Sequence, residues 1–328
     1  MTSNRLTFSE DYQIVNTIVL ERNVKGKTIE TYLQTVDHYT ELFNQSFTSL
    51  IKVYYQQEES IVWKKRLLKQ HLIQYRNHVY NEYLPNTAKI YFGKLVTILR
   101  HLELEVGQLP KLNNKNNNEL PPITYNDLPS KYEIEKAYGL ANPVMKAVIL
   151  FISSSGCARK ETMNLTVKSY LEANNVKIID KPIKSLLNEV NVDYVPCFRI
   201  KRQKTNKFYF TYCSPQANKE ILNYLFNRDD LTLDSPVFDL NYYYWNKYFN
   251  ELNNLLEMGK SRKFNRFRSH MLRKYHASTL YNNGMSITDI DDLQGRSKDS
   301  THQSYFMEDP ELLKKKYLDY MDCLLLEV

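Results

Sequence analysis

Apolar residues recur at helical spacing along most of this chain. Between Thr28 and Phe43, the residues Ile29, Leu33, Val36, Tyr39 and Phe43 fall on one face, and Ile61 to Tyr80 and Asn86 to Leu104 carry similar stripes. Asn86 is the candidate N-cap of the last of these. Together they predict a small helical bundle whose polar positions include Lys64, Lys65, Arg66, Lys69, Arg76, Lys89, Lys94 and Arg100. The periodicity stops in the Asn-rich stretch from Leu112 to Pro122, which reads as a linker.

Beyond the linker the pattern is mixed. Asn142-Pro143 supplies an N-cap with proline at the first helical position, and Gly156 supplies the stop. Alternating residues predict paired strands at Val195–Lys201 and Lys207–Cys213 around the turn Arg202-Gln203-Lys204-Thr205-Asn206. Ser214-Pro215 opens a further helix. Leu240–Met258 is helical and rich in aromatics, which we assign to a core rather than to a base-stacking surface. Arg268–Asn282 forms a helix stopped at Gly284, and Ser286 with Asp289 begins a short helix ending at Gly295. Asp309-Pro310 opens a last amphipathic helix running almost to Val328. Its stripe of Leu312, Leu313, Tyr317, Tyr320, Met321, Leu324 and Leu325 either folds back on its own domain or docks into a neighbouring protomer.

Composition narrows the function classes. A chain of 328 residues exceeds the roughly 250–300 at which single cores stop growing, so two domains are expected. The net charge of +7 is compatible with a nucleic-acid partner. The four cysteines lack C-x-x-C spacing, so neither a zinc site nor a disulfide framework is expected. No P-loop motif is present. The longest apolar stretch, from Val144 to Ile152, is interrupted by Lys146 and too short to span a bilayer.

The candidate chemistry lies in a series of cations followed by a tyrosine. Arg159 follows the Gly156 stop, Lys204 lies in the hairpin turn, and His270 and Arg273 share a helix face at i, i+3. Arg296 follows Gly295, and Tyr305 comes nine residues later. The run from Gly259 to Arg268 contributes Lys260, Arg262, Lys263, Arg266 and Arg268 with no acid, just before a helix N-terminus, a natural entry for phosphate. Tyrosine is a poor nucleophile at its ordinary pKa of about 10 and becomes useful where cations stabilise phenolate. Arginine forks match the two non-bridging oxygens of a phosphodiester. Lysine can protonate a departing oxygen, and Lys201 and Lys207 stand beside Lys204 as alternatives.

In this order, Arg159, Lys204, His270-Met271-Leu272-Arg273, Leu293-Gln294-Gly295-Arg296 and Tyr305 resemble the signature of the tyrosine recombinase (integrase) family, which includes the Xer-type recombinases. Arg296 stands where that family has His or Trp, a change associated with archaeal and viral branches. Glu161 comes two residues after the first arginine rather than three. The resemblance implies a mainly α fold with a small β-sheet: a helical, SAM-like core-binding domain and a mixed α+β catalytic domain. It divides the chain into an N-terminal extension (1–24), a DNA-binding domain (25–108), a linker (109–122) and a catalytic domain (123–328) with its tail helix (310–328). It implies a site-specific recombinase or integrase that breaks and rejoins DNA through a 3′-phosphotyrosine, without metal, ATP or cofactor. Arg159, Lys204, His270, Arg273, Arg296 and the nucleophile Tyr305 would be its catalytic residues. Its partner would be a double-stranded DNA attachment site, bound by a homotetramer that is largely monomeric when free. No membrane is involved, and the location would be cytoplasmic, at the nucleoid or in the host cytoplasm if viral. A type IB topoisomerase and a non-catalytic DNA-binding accessory protein are the alternatives.

Overall fold

The computed structural model of the protein describes residues 7–24, 26–112, 122–203, 206–296 and 309–328. The chain divides into two compact units, Met1–Pro121 and Pro122–Val328. No helix among the described residues is long and apolar enough to cross a membrane.

The first unit is helical throughout, with α1 (Asp11–Glu21), α2 (Lys27–Phe43), α3 (Phe47–Ser60), α4 (Leu67–Glu82) and α5 (Pro85–His101). Val36, Tyr39, Leu72, Tyr75, Val79, Leu95 and Leu99 form its core, joined by Val15 and Ile18 from α1, a helix in the stretch expected to be an extension. The carboxylate of Asp11 accepts the Phe47 and Thr48 N–H groups at 2.7 and 2.8 Å, so α1 supplies the anion at the N-terminus of α3.

Two boundaries differ from expectation. The stripe from Ile61 does not continue as one helix, because Arg66 is extended and buried: its guanidinium is held by Glu58, Glu105 and the Ile61 carbonyl. Helix α4 therefore starts at Leu67. Asn86 is not a cap either, since Pro85 takes the first helical position of α5.

The second unit is built around α7 (Pro143–Ser155), which is buried on nearly every side from Met145 onward. It packs against α11 (Pro215–Phe226) and α13 (Ser269–Asn282) and is flanked by α6 (Lys131–Leu140). An all-round apolar helix of this length is the expected centre of a core. Asn142 caps α7 through the Met145 N–H, and Gly156 ends it in the left-handed conformation, as its residues predict. Ser214 caps α11, and Ser286 caps α14 (Ile287–Leu293).

The short helices α8 (Arg159–Met163), α9 (Val167–Ala173) and α10 (Ile183–Leu187) lead to the hairpin β1 (Cys197–Lys201) and β2 (Phe208–Tyr212), paired antiparallel with Cys197 opposite Tyr212. A second hairpin, β3 (Lys260–Ser261) and β4 (Phe264–Asn265), turns at Arg262-Lys263. The aromatic helix α12 (Tyr242–Leu255) is only partly a core element. Trp245 and Phe249 are buried, while Tyr242, Tyr243 and Tyr244 are exposed.

The tail helix covers Pro310–Tyr320 and passes into a 3₁₀ turn at Met321–Leu324, so it stops short of the expected end. The reason is the Gln216 side chain, which bonds both the N–H and the carbonyl of Leu326 and draws the last residues into extended form. In this chain the apolar stripe folds back: Leu313, Tyr317 and Leu324 cluster with Val195, Tyr212, Leu280 and Leu293 of their own unit. The Tyr317 hydroxyl donates to the Ser154 carbonyl at 3.0 Å.

One close approach sets the spacing between α14 and the hairpin. Gly295 has φ +57°, and a Cβ there would lie 2.4 Å from Cδ1 of the buried Tyr209 ring. Gly259 has φ +68° with open space around it. Gly259→Ala is expected to cost about 1 kcal/mol for its backbone conformation alone. Gly295→Ala should cost at least about 2 kcal/mol more, because the ring cannot move aside. Urea unfolding of both variants checks this; equal losses would show that the contact does not matter.

Candidate functional site

The inner layer of the site is organised by one buried arginine. Arg273 lies on the core-facing side of α13 and is 8% exposed. It donates through Nη1 to the Gly156 carbonyl and through Nη2 to the Gln294 carbonyl, the latter at 2.7 Å. The first carbonyl belongs to the turn leading to Arg159, and the second to the end of α14 just before Arg296. A buried guanidinium needs a counter-charge. Glu161 supplies it at 4.0 Å and is itself held by the Ala158 N–H at 3.1 Å and the Tyr209 hydroxyl at 2.8 Å. The Gln294 side chain closes the network by donating to the Arg273 carbonyl and to Nδ1 of His276, both at 3.0 Å. Gly156 is required here as well, because a Cβ would meet His276 Nδ1 at 2.5 Å.

A second, more exposed layer of cations surrounds this anchor. His270 is the second residue of α13. Partial burial first, then Lys274, Arg268, Arg273 and Arg296, hold its pKa below the ordinary value, so the imidazole is neutral near pH 7. Lys274 also has a lowered pKa, from burial and then from Arg268, Arg262 and Arg296, with Asp127 opposing them. Arg296 pairs with Asp291 at 3.1 Å. Lys274, Arg296 and Asp291 line a cleft of about 440 Å³ together with Tyr125, Tyr281 and Ile290. Several like charges in one place are unfavourable until an anion joins them, which makes this layer suited to phosphate.

The five basic residues expected at the entry divide in the structure. Lys260, Arg262 and Lys263 are exposed on the β3–β4 hairpin. Arg268 precedes α13, bonds the Asn265 carbonyl and stacks on Phe264 at 5.4 Å. Arg266 faces inward instead: it makes a bidentate pair with Glu133 at 2.8 and 2.7 Å and also bonds the Leu128 carbonyl. We therefore place Arg266 among the structural residues, because its fork is already matched by a carboxylate.

Arg159 opens α8 and is half-buried. Its Nη1 donates to Asn246 Oδ1 at 3.1 Å, and its guanidinium lies over the Tyr242 ring at 4.2 Å. Lys204 and Tyr305 lie outside the described residues. The structure thus brings Arg273 against the turn that carries Arg159, and places His270 and Arg296 around it. Sequence reasoning missed Lys274, His276 and the amide role of Gln294. The spacing of Lys274 four residues after His270 was the available signal for the first. Among the described residues no group of three or more His, Cys, Asp or Glu is assembled to hold a metal.

Comparison with known proteins bears on the family and the fold. The family model described as the phage integrase family matches residues 131–311. No curated protein matches the chain. The fold is similar to that of XerH site-specific recombinase in a post-cleavage complex with a palindromic difH substrate, with TM-score 0.58 and 16% identity over 93% of this chain and 83% of that one. It is also similar to a lambda integrase dimer bound to a COC′ core site, with TM-score 0.54 and 14% identity over 92% and 95% of the two chains. A lambda integrase tetramer bound to a Holliday junction gives TM-score 0.52 and 14% identity over 94% and 81%.

The buried imidazole gives the fold a pH dependence. Burial first, then Arg273 and Arg296, lower the His276 pKa to about 3. In the unfolded chain it returns to about 6.5. Between these values the unfolded state binds the extra proton, so this contribution to stability is full above pH 6.5 and declines as pH falls. The expected slope is about 1.4 kcal/mol per pH unit. His276→Gln should remove that slope from urea unfolding curves recorded between pH 7.5 and 5. Identical slopes for variant and wild type would contradict the buried neutral imidazole.

Proposed function

From the premise that this chain belongs to the phage integrase family, and is a tyrosine site-specific recombinase, we propose that Tyr305 is its nucleophile and that Arg159, Arg273, Lys204, His270 and Arg296 serve the transferred phosphate. The observation that carries this reading is the convergence on Arg273, whose two carbonyl bonds join the turn before Arg159 to the turn before Arg296. Arg273 and Arg296 both lie near enough to His270 to help lower its pKa.

The chemistry follows from these groups. The Tyr305 oxygen attacks phosphorus, the bond from phosphorus to the 5′-oxygen breaks, and a 3′-phosphotyrosine forms. His270, neutral at pH 7, accepts the phenolic proton, and Lys204 protonates the departing 5′-oxygen. Arg159, Arg273 and Arg296 stabilise the charge that builds on the non-bridging oxygens. A 5′-hydroxyl from a partner strand then attacks the phosphotyrosine, and the tyrosine leaves with its proton restored. The phosphodiester energy is kept in the covalent link, so ATP is not consumed. The Pro122–Val328 unit would perform this reaction, and the Met1–Pro121 unit would help grip the duplex attachment site. Exchange between two duplexes calls for four protomers, in line with the lambda integrase tetramer on its junction. The enzyme would act in the cytoplasm, at the nucleoid.

A pool of nicked random-sequence duplexes, incubated with the protein in excess EDTA and denatured with SDS, tests the proposal. Wild type should trap a covalent adduct whose DNA reports the attachment site. Tyr305→Phe should still shift that DNA on a native gel but trap nothing. An adduct with the variant would place the nucleophile elsewhere, and no adduct with wild type would reduce the protein to DNA binding.

A further inference from the structure

Arg159 is held from outside its own helix. Helix α8 has only five residues, and the guanidinium of its first residue is fixed by α12. The Asn246 amide oxygen takes one N–H at 3.1 Å, and the Tyr242 ring covers the guanidinium plane at 4.2 Å. The first turn of α12 is itself rigid, because Asn241 caps it through the Tyr244 N–H at 2.9 Å. The same turn reaches the start of α13, where Trp245 Nε1 donates to the Ser269 hydroxyl at 3.3 Å, next to His270. Phe249 and Phe267 pack with ring centroids 5.6 Å apart and anchor the rest of α12. One helical turn therefore touches two of the elements that carry site residues, α8 and α13.

We propose that Tyr242 and Asn246 are positioning residues that orient Arg159 toward the scissile phosphate before DNA arrives. The inference rests on the reading of Arg159 as a ligand of that phosphate. Two parallel N–H bonds to a phosphate require a guanidinium of defined plane and rotation. An arginine side chain loses much rotamer freedom when it is fixed, and a ring stacked on one face with an amide on one edge removes that freedom in advance. Tyr242 is 58% exposed, and its ring lies over the Arg159 guanidinium. This gives Tyr242, one of the exposed aromatics of α12, a function that neither a core nor a base-stacking surface provides.

The test uses the full-length protein and a nicked duplex bearing the site recovered from the adduct pool. Tyr242→Leu should slow single-turnover cleavage by about five- to tenfold, the effect of losing a ring from a guanidinium face. DNA affinity and the thermal unfolding curve should not change. Tyr242→Phe, which keeps the ring, should recover most of the rate. In an Arg159→Ala background, Tyr242→Leu should cause no further loss, because the side chain it orients is gone. If Arg159→Ala is impaired and the two losses multiply, Tyr242 acts independently of Arg159 and this inference alone is overturned. If Arg159→Ala cleaves at the wild-type rate, the reading of Arg159 falls and the inference falls with it.

Discussion

The two hydrogen bonds from Arg273 to the Gly156 and Gln294 carbonyls are the interaction on which the Pro122–Val328 unit depends. Each carbonyl terminates a helix, α7 in one case and α14 in the other, and a helix end leaves carbonyls in need of donors. One guanidinium satisfies both ends and so fixes the distance between them. Glu161 neutralises the arginine, Tyr209 steadies Glu161, and the backbone of Gly295 lies against the Tyr209 ring. Removing any member leaves a buried polar group without its partner, so the network holds together as a unit. The arginine that organises the fold is also the one proposed to meet the phosphate. Two of its five N–H groups are committed to carbonyls, and that commitment sets the plane of the guanidinium.

The electrostatics of the outer layer follow from the same geometry. After burial, Lys274, Arg268, Arg273 and Arg296 lower the proton affinity of His270, and Arg268, Arg262 and Arg296 lower that of Lys274. The two titratable members respond in the direction that like charges and burial require. A protein with this surface is prepared for an anion and is less favourable without one. A phosphodiester relieves the repulsion, which links DNA binding to the stability of the site. The same burial and repulsion hold the His270 pKa down, which leaves the imidazole able to accept a proton.

Much of the fold was legible because its signals are local. Asn142 with Pro143, Ser214 with Pro215, Ser286 and Asp309 with Pro310 each mark a helix start by capping chemistry contained within a few residues. Two of the boundaries that differed were set from a distance. Glu58 and Glu105 capture Arg66 and break the stripe from Ile61, and Gln216 captures Leu326 and ends the tail. The site divides in the same way. Arg159, His270, Arg273 and Arg296 are proposed from their order in the chain and lie among the described residues, while Lys204 and Tyr305 rest on that order alone. That Arg266 would pair with Glu133, 133 residues away, or that α12 would place Tyr242 on Arg159, depends on tertiary packing that spacing does not encode.

Arg273→Lys tests the central claim most directly. Lysine keeps the charge, but a single ammonium cannot span both carbonyls as the guanidinium fork does. Urea unfolding of the Pro122–Val328 unit within the full chain at neutral pH should show a loss of about 2–4 kcal/mol, the range for breaking buried hydrogen bonds to a charged group. Unfolding at the wild-type denaturant midpoint, with only DNA cleavage lost, would mean that Arg273 is a phosphate ligand alone and that something else holds the two turns together.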